Sequence, residues 1–167
     1  MKSQDEIELF ISLFWEFSCD FYRHKAAFEE LHLLQDTHHV NINRILLALF
    51  LTKSDILLGV KVEEVSGIER IRLLEKWIEK VRVLRNLIKE HPSNQIRRTR
   101  ENVLSIELKL EKHHQRLLIL SLSRHFCLGA ESIHPRSLPV LFESNSEMLF
   151  QISKSSKASL QRLLNLL

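Results

Sequence analysis

The chain has 167 residues, enough for one domain with its own hydrophobic core. It is 44% hydrophobic and 27% charged, a composition typical of neither disordered nor membrane proteins. The longest apolar run, Ile45 to Leu51, is too short to cross a bilayer. The acidic N-terminus lacks a signal-peptide pattern, and the two cysteines have no disulfide-framework spacing. We therefore expect a cytoplasmic protein that makes no membrane contact.

The charge is unevenly distributed, although the formal net charge is only +3. Residues 1–36 carry eight acidic and three basic side chains, whereas residues 67–127 carry seven acidic and fourteen basic ones. Such asymmetry is more typical of complementary helices than of a nucleic-acid footprint. The densest basic run contains Arg97, Arg98 and Arg100 and opens a predicted helix, where cations oppose the helix dipole. It is interpreted either as a solvated face or as a binding site for acidic groups, such as the acidic first helix of this chain or, more weakly, RNA.

Apolar residues at helical spacing predict helices over about 4–22, 25–37, 44–52, 68–91, 95–124 and 146–166. Trp77 and Leu84 are in phase with the apolar face of 68–91 and are expected in the core. The helix of 95–124 is apolar over most of its circumference, so we expect it to be buried on more than one side. Asn41 or Asn43 can cap the third of these helices. Residues 54–66 form either a short helix or an extended connection. Pro92 ends the helix of 68–91, so the connection to the next long helix is short and the two should pack antiparallel.

The pattern therefore predicts an all-α, single-domain helical bundle of five to six helices, with 68–91 and 95–124 as a central antiparallel pair. Residues 1–126 should form the bundle core. Residues 127–145 are predicted to be a loop because they contain Gly129, Pro135 and Pro139. Residues 146–167 are expected to form a C-terminal helix or a partly flexible tail.

Several polar residues fall where these helices should be apolar. On a helical wheel Arg85 lies in the middle of the apolar face of 68–91, and Glu107 lies within the apolar arc of 95–124. Because a buried carboxylate needs a partner or a proton, we predict an Arg85–Glu107 ion pair. The candidate polar core cluster is Gln35, Asn41, Asn43, Arg85, Glu107, Glu111, His114 and Gln115.

Other chemical motifs are weak. Glu29-x-x-His32 and Glu111-x-x-His114 have the spacing of di-iron ligands, but Glu29 points away from the apolar face and no further inward Glu pair accompanies them. Cys127 has His125 nearby and no carboxylate, and three scattered glycines make no phosphate loop. We therefore predict no catalytic residue, no metal site and no cofactor.

Three stretches carry a resemblance to a known family. They are Phe14-Trp15-Glu16-Phe17 with Tyr22, Leu34-Gln35-Asp36 through Asn41-Ile42-Asn43-Arg44-Ile45-Leu46-Leu47, and Trp77-Ile78-Glu79-Lys80-Val81-Arg82-Val83-Leu84-Arg85. Over about residues 10–122 the chain resembles an uncharacterised family of small proteobacterial proteins, a conserved domain of unknown function. The resemblance implies a bacterial cytoplasmic helical protein, supplies no reaction, and selects Glu107, Glu111 and Gln115 as family Glu/Gln positions. Val83 departs from it, since family members often have proline there.

Three functions remain open from the sequence. The first is a non-enzymatic interaction or adaptor protein that binds a protein partner or itself, with a structural Arg–Glu network in its core. The alternative is a small polar ligand-binding protein or enzyme that uses a pocket in the bundle core. The third is an RNA- or ribosome-associated role through the basic run. A solvent-connected cavity lined by the polar cluster would favour the second function.

Overall fold

The computed structural model describes residues 3–89, 93–128 and 137–167. Within these ranges the chain forms seven helices: α1 Gln4–Arg23, α2 Lys25–His38, α3 Ile42–Lys53, α4 Ile68–Leu87, α5 Asn94–Leu122, α6 Leu138–Leu149 and α7 Lys157–Leu164. Two short strands, β1 Ile56–Leu58 and β2 Phe126–Leu128, pair antiparallel with Leu57 opposite Cys127. The predicted all-α, single-domain fold is confirmed, with one helix more than the five to six expected.

The most buried helix is α3. The Asn41 side chain caps it by accepting a hydrogen bond from the Arg44 amide, as the sequence predicts. Every residue from Ile42 to Thr52 is buried, as expected of a helix that is apolar all round. Helices α1, α2, α5 and α6 surround α3, and Phe50 stacks on Phe14 with ring centroids 5.3 Å apart. The hydrophobic core is therefore centred on α3.

Helices α4 and α5 form the predicted antiparallel pair, and α5 contacts α3. The register is fixed by hydrogen bonds that join Glu75 to His114 near one end and Arg85 to Glu107 further along. Gly67, at φ 89°, precedes α4 in a left-handed conformation that glycine adopts without strain. Pro92, the predicted end of the first helix of the pair, lies outside the described residues.

Much of the pair is exposed, which corrects two expectations. Helix α5 was expected to be buried on more than one side, yet Leu104, Ile106 and Leu108 are exposed because α1 and α3 cover only its C-terminal half. Trp77 and Leu84 were assigned to the core and are also exposed. A helical wheel identifies which face of a helix is apolar but not which element covers that face. The sequence could therefore not show that these faces are exposed.

The C-terminal region also differs from the expectation. The predicted loop of 127–145 is wrong from Leu138 onward, where α6 begins with Pro139 in its first turn, a position that suits proline. Gly129 and Pro135 lie outside the described residues. The predicted helix of 146–166 is divided: its first turn belongs to α6, and α7 begins only at Lys157 and packs on α2.

A buried asparagine joins the small sheet to α6. Asn145 accepts a hydrogen bond from the Leu58 amide at 2.9 Å and donates one to the Ile56 carbonyl at 2.9 Å. The region of 54–66, which the sequence left ambiguous, contains β1 and a 3-10 turn over Val62–Glu64. No helix among the described residues is long and apolar enough to cross a membrane.

Candidate functional site

A buried arginine at the start of α3 organises the first part of the polar core. Arg44 donates from Nε and Nη2 to the two carboxylate oxygens of Glu75, at 2.8 and 3.2 Å. Its Nη1 donates to Glu63 Oε1 and to the Leu149 carbonyl, each at 3.0 Å. A buried cation needs such partners to offset its lost hydration. Sequence reasoning missed Arg44, although a cation within a helix that is apolar all round has to be buried.

A chain of buried side chains reaches Glu75 from the other direction. Gln115 Nε2 donates to Asn43 Oδ1 at 2.8 Å, and Asn43 Nδ2 donates to His114 Nδ1 at 3.1 Å. Because His114 Nδ1 accepts, its proton lies on Nε2, which donates to Glu75 Oε1 at 3.2 Å. Burial raises the pKa of Glu75, but the hydrogen bonds from His114 and Arg44 outweigh this effect and leave the pKa lowered. The network therefore holds an ionised and oriented carboxylate.

A second group of ion pairs joins α4 to α5 around the buried carboxylate of Glu107. Arg85 pairs with both oxygens of Glu107, which confirms the predicted pair. Arg82 donates to Glu107 Oε1 at 3.1 Å and to Glu111 Oε1 at 2.8 Å. Burial raises the pKa of Glu111, while the charge of Arg82 opposes that rise. Two arginines thus share two carboxylates, and each charge has a partner.

A tyrosine–histidine pair connects α1 and α2 close to these charges. Tyr22 Oη lies 2.6 Å from His32 Nε2. Burial raises the pKa of Tyr22 to about 12 and lowers the pKa of His32, so the hydroxyl donates to a neutral imidazole. The charges of Arg82 and Glu107 act on both groups. The pair is therefore a neutral hydrogen bond beside a charged cluster.

An open groove of about 410 Å³ separates the end of α2 from α4. The α2 side is lined by Gln35, His39, Val40 and Asn41. The polar lining on the α4 side comes from Arg72, Glu75, Lys76, Glu79 and Arg82. Glu75 and Arg82 therefore connect the groove to the two buried groups of polar residues.

The structure divides the predicted cluster into two parts. Gln35 and Asn41 line the groove. The other members do not line it and are bound within the network behind it: Asn43, Arg85, Glu107, Glu111, His114 and Gln115. The groove residues Glu75 and Arg82 were not among the predicted site residues, because each sits at the edge of the α4 apolar face on a wheel.

The remaining sequence candidates lie apart from the groove. Arg97 and Arg98 are exposed near the start of α5 and Arg100 is half-buried, with no carboxylate within ion-pair distance among the described residues. Glu111 and His114 bond to different partners, Arg82 and Glu75. In the described part of the chain, no group of three or more His, Cys, Asp and Glu side chains could hold a metal ion.

Helix α4 also presents an apolar surface that no other described element covers. Leu73, Trp77, Leu84 and Leu87 are 57%, 52%, 49% and 78% exposed. With Lys80 they follow a 4-3-4-3 spacing, the seam of a coiled coil, and we call these five residues the α4 stripe. Lys80 Nζ lies 5.0 Å from the centroid of the Trp77 ring. The stripe is distinct from the α4 face that packs on α5 through buried residues.

A family model for proteins of unknown function, DUF2390, matches residues 13–118. The chain belongs to this family. The matched region contains the groove, the α4 stripe and both groups of polar residues, whereas α6 and α7 lie beyond it. Comparisons with curated proteins and with solved structures gave no match. The predicted membership of a family of unknown function is confirmed, and the family description assigns no activity.

Proposed function

We propose that this DUF2390 protein is a non-enzymatic interaction module whose α4 stripe binds an amphipathic helix of a partner protein. The observation that carries the proposal is the exposure of four large apolar side chains on one face of a helix whose other face is already packed. A contiguous exposed apolar patch of this kind marks binding surfaces. Tryptophan is moreover enriched among the residues that dominate interface energies.

The spacing of the stripe favours a helical partner. Residues that repeat every 4 and 3 positions stay on one side of a helix for several turns, which is the arrangement that packs into a second helix. The stripe runs from Leu73 to Leu87 and so occupies most of α4. Ion pairs of Arg82 and Arg85 with Glu107 hold α4 on α5. A surface held rigid in this way loses less entropy on binding.

The charges on and beside the stripe favour an acidic partner. Lys80 lies within the stripe and Arg70 lies near its start; both are exposed and form no ion pair among the described residues, whereas Glu69 is already engaged by Arg72 at 2.9 Å. A second copy of the chain would bring the same cations against these cations, which costs binding energy. An amphipathic helix with acidic flanks would complement them instead.

Photo-crosslinking in cells tests this proposal. Benzoylphenylalanine is placed at Leu84, on the stripe, or at Ile106, which is equally exposed on α5 but lies off the stripe, at 49% and 50% exposure. We expect position 84 to crosslink to a partner segment that forms an acidic amphipathic helix. Position 106 should give no crosslink to that segment. Equal crosslinking from both positions, or a product from position 84 that is a second copy of this chain, would contradict the proposal.

A further inference from the structure

The α4 wall of the groove carries two rows of opposite charge. Glu75 and Glu79 are four residues apart and form an acidic row, and Arg72 and Lys76, also four apart, form a basic row beside it. Side chains at this spacing lie one turn apart on the same side of a helix, about 5–6 Å between their Cβ atoms. The groove therefore presents both signs of charge along its length.

The two rows do not neutralise each other. Arg72 pairs with Glu69, outside the groove, and Glu75 pairs with Arg44 behind it. Arg82, the remaining charged residue of this wall, is engaged by Glu107 and Glu111. Among the described residues, Lys76 and Glu79 form no ion pair. Charged side chains that face a groove and have no ion-pair partner are hydrated or bind a ligand of opposite charge.

Glu75 is the most strongly positioned of these groups. It receives three hydrogen bonds, two from Arg44 and one from His114, and His114 is itself held by Asn43. A carboxylate offers about four lone-pair positions, so one acceptor position remains on Oε2. The side chain is 20% exposed, and a donor in the groove can therefore reach it. Outer-shell support of this kind positions a binding group before the ligand arrives.

The opposite wall and the size of the groove define the ligand further. Gln35 and Asn41 contribute neutral amides, which do not compensate either row of charge. The volume of about 410 Å³ lies in the range of small-molecule sites, about 300–1,000 Å³. An uncharged ligand would bury Lys76 and Glu79, which form no ion pair among the described residues, and a ligand of one sign would face repulsion from the row of the same sign.

We propose that this groove binds a small zwitterion, with its ammonium group on Glu75 and Glu79 and its carboxylate on Lys76 and Arg72. The site uses a different face of α4 from the stripe. The two proposals can therefore fail independently, because the probes and variants that test them do not overlap.

Three probes with the same number of carbon atoms test the proposal. 5-Aminopentanoate carries both charges, pentylamine carries only the cation and pentanoate carries only the anion. Each is titrated into the full chain while backbone amide chemical shifts are recorded by NMR. We expect saturable shifts at His39, Val40 and Lys76, and 5-aminopentanoate should bind about tenfold more tightly than either singly charged probe.

Charge-removing variants assign each end of the probe. Glu75→Gln should reduce the preference for 5-aminopentanoate over pentanoate, and Lys76→Met should reduce its preference over pentylamine. Glu101→Gln and Lys109→Met are matched controls, since both residues are exposed on α5 and do not line the groove. If Glu75→Gln unfolds because Arg44 loses its partner, Glu79→Gln tests the same end of the probe without disturbing a buried bond.

Three outcomes would overturn the proposal. The first is the absence of saturable binding by 5-aminopentanoate. The second is equal binding of all three probes. The third is a preference for pentanoate that Lys76→Met abolishes and Glu79→Gln leaves unchanged, which would make the groove an anion site.

Discussion

Helices α3 and α4 are joined by the Arg44–Glu75 ion pair, yet they are built in opposite ways. Helix α3 is covered on every side by neighbouring helices, and its one buried cation is fully paired. Helix α4 packs on α5 along one face, lines the groove along a second and exposes the stripe along a third. The difference indicates that α3 stabilises the fold, whereas α4 supplies the surfaces available for binding.

The largest expected effect compares one leucine from each helix. Leu47→Ala removes a side chain that is 0% exposed and leaves a cavity, at a cost of about 3 kcal/mol in the free energy of unfolding. Leu84→Ala acts on a side chain that is 49% exposed and should cost less than about 0.5 kcal/mol. Urea denaturation followed by circular dichroism measures both. Equal costs would mean that another element covers α4, and the comparison would then be wrong.

The second prediction concerns the contact between α4 and α5. Glu107→Ala leaves both Arg82 and Arg85 without their shared carboxylate and should cost about 3 kcal/mol, near the lower end for buried pairs because the arginines are partly exposed. Glu101→Ala, an exposed carboxylate on the same helix, is the matched control and should be nearly neutral. A harmless Glu107→Ala would show that the ion pairs do not fix α4.

The smallest expected effect is a pH dependence from the Tyr22–His32 pair. The folded pKa of His32 is lowered from 6.5 by burial, so its contribution to stability is present above pH 6.5 and is lost as the pH falls through the folded pKa. The charges of Asp36 and Glu107 raise the pKa of His32, whereas the charges of Arg82 and Arg85 lower it.

His32→Gln removes this titration, so its unfolding free energy should fall less between about pH 7.5 and pH 5 than that of the unmodified chain. His113→Gln, which replaces an exposed histidine on α5, is the matched control. The raised pKa of Glu111 acts in the opposite direction, because its contribution to stability is lost as the pH rises. Identical pH profiles for the two variants would show that His32 does not contribute to the pH dependence of stability.

The sequence predicted those features that depend on local pattern and register. The positions of the first five helices follow from periodicity, and the Arg85–Glu107 pair follows from the antiparallel register imposed by a short connection. Partners of Arg44 could not be predicted, because Glu63, Glu75 and the Leu149 carbonyl come from separate parts of the chain. Their approach is a property of the tertiary packing.

The faces of α4 show a second limit. Apolar residues at helical spacing indicate a face that avoids water, but they do not say whether the chain itself or a partner covers it. Trp77 and Leu84 were therefore assigned to the core, with which they share their spacing. Pro139 was interpreted as part of a loop although proline is also favoured in the first turn of a helix, where α6 places it.

Affinity purification from cells tests the central claim most directly, by comparing the unmodified chain with Leu84→Glu and with Ile106→Glu. We expect the same partner to be recovered with the unmodified chain and with Ile106→Glu and to be lost with Leu84→Glu, while all three proteins have the same free energy of unfolding. Recovery of the partner with Leu84→Glu at the level of the unmodified chain would contradict the assignment of the α4 stripe as the binding surface.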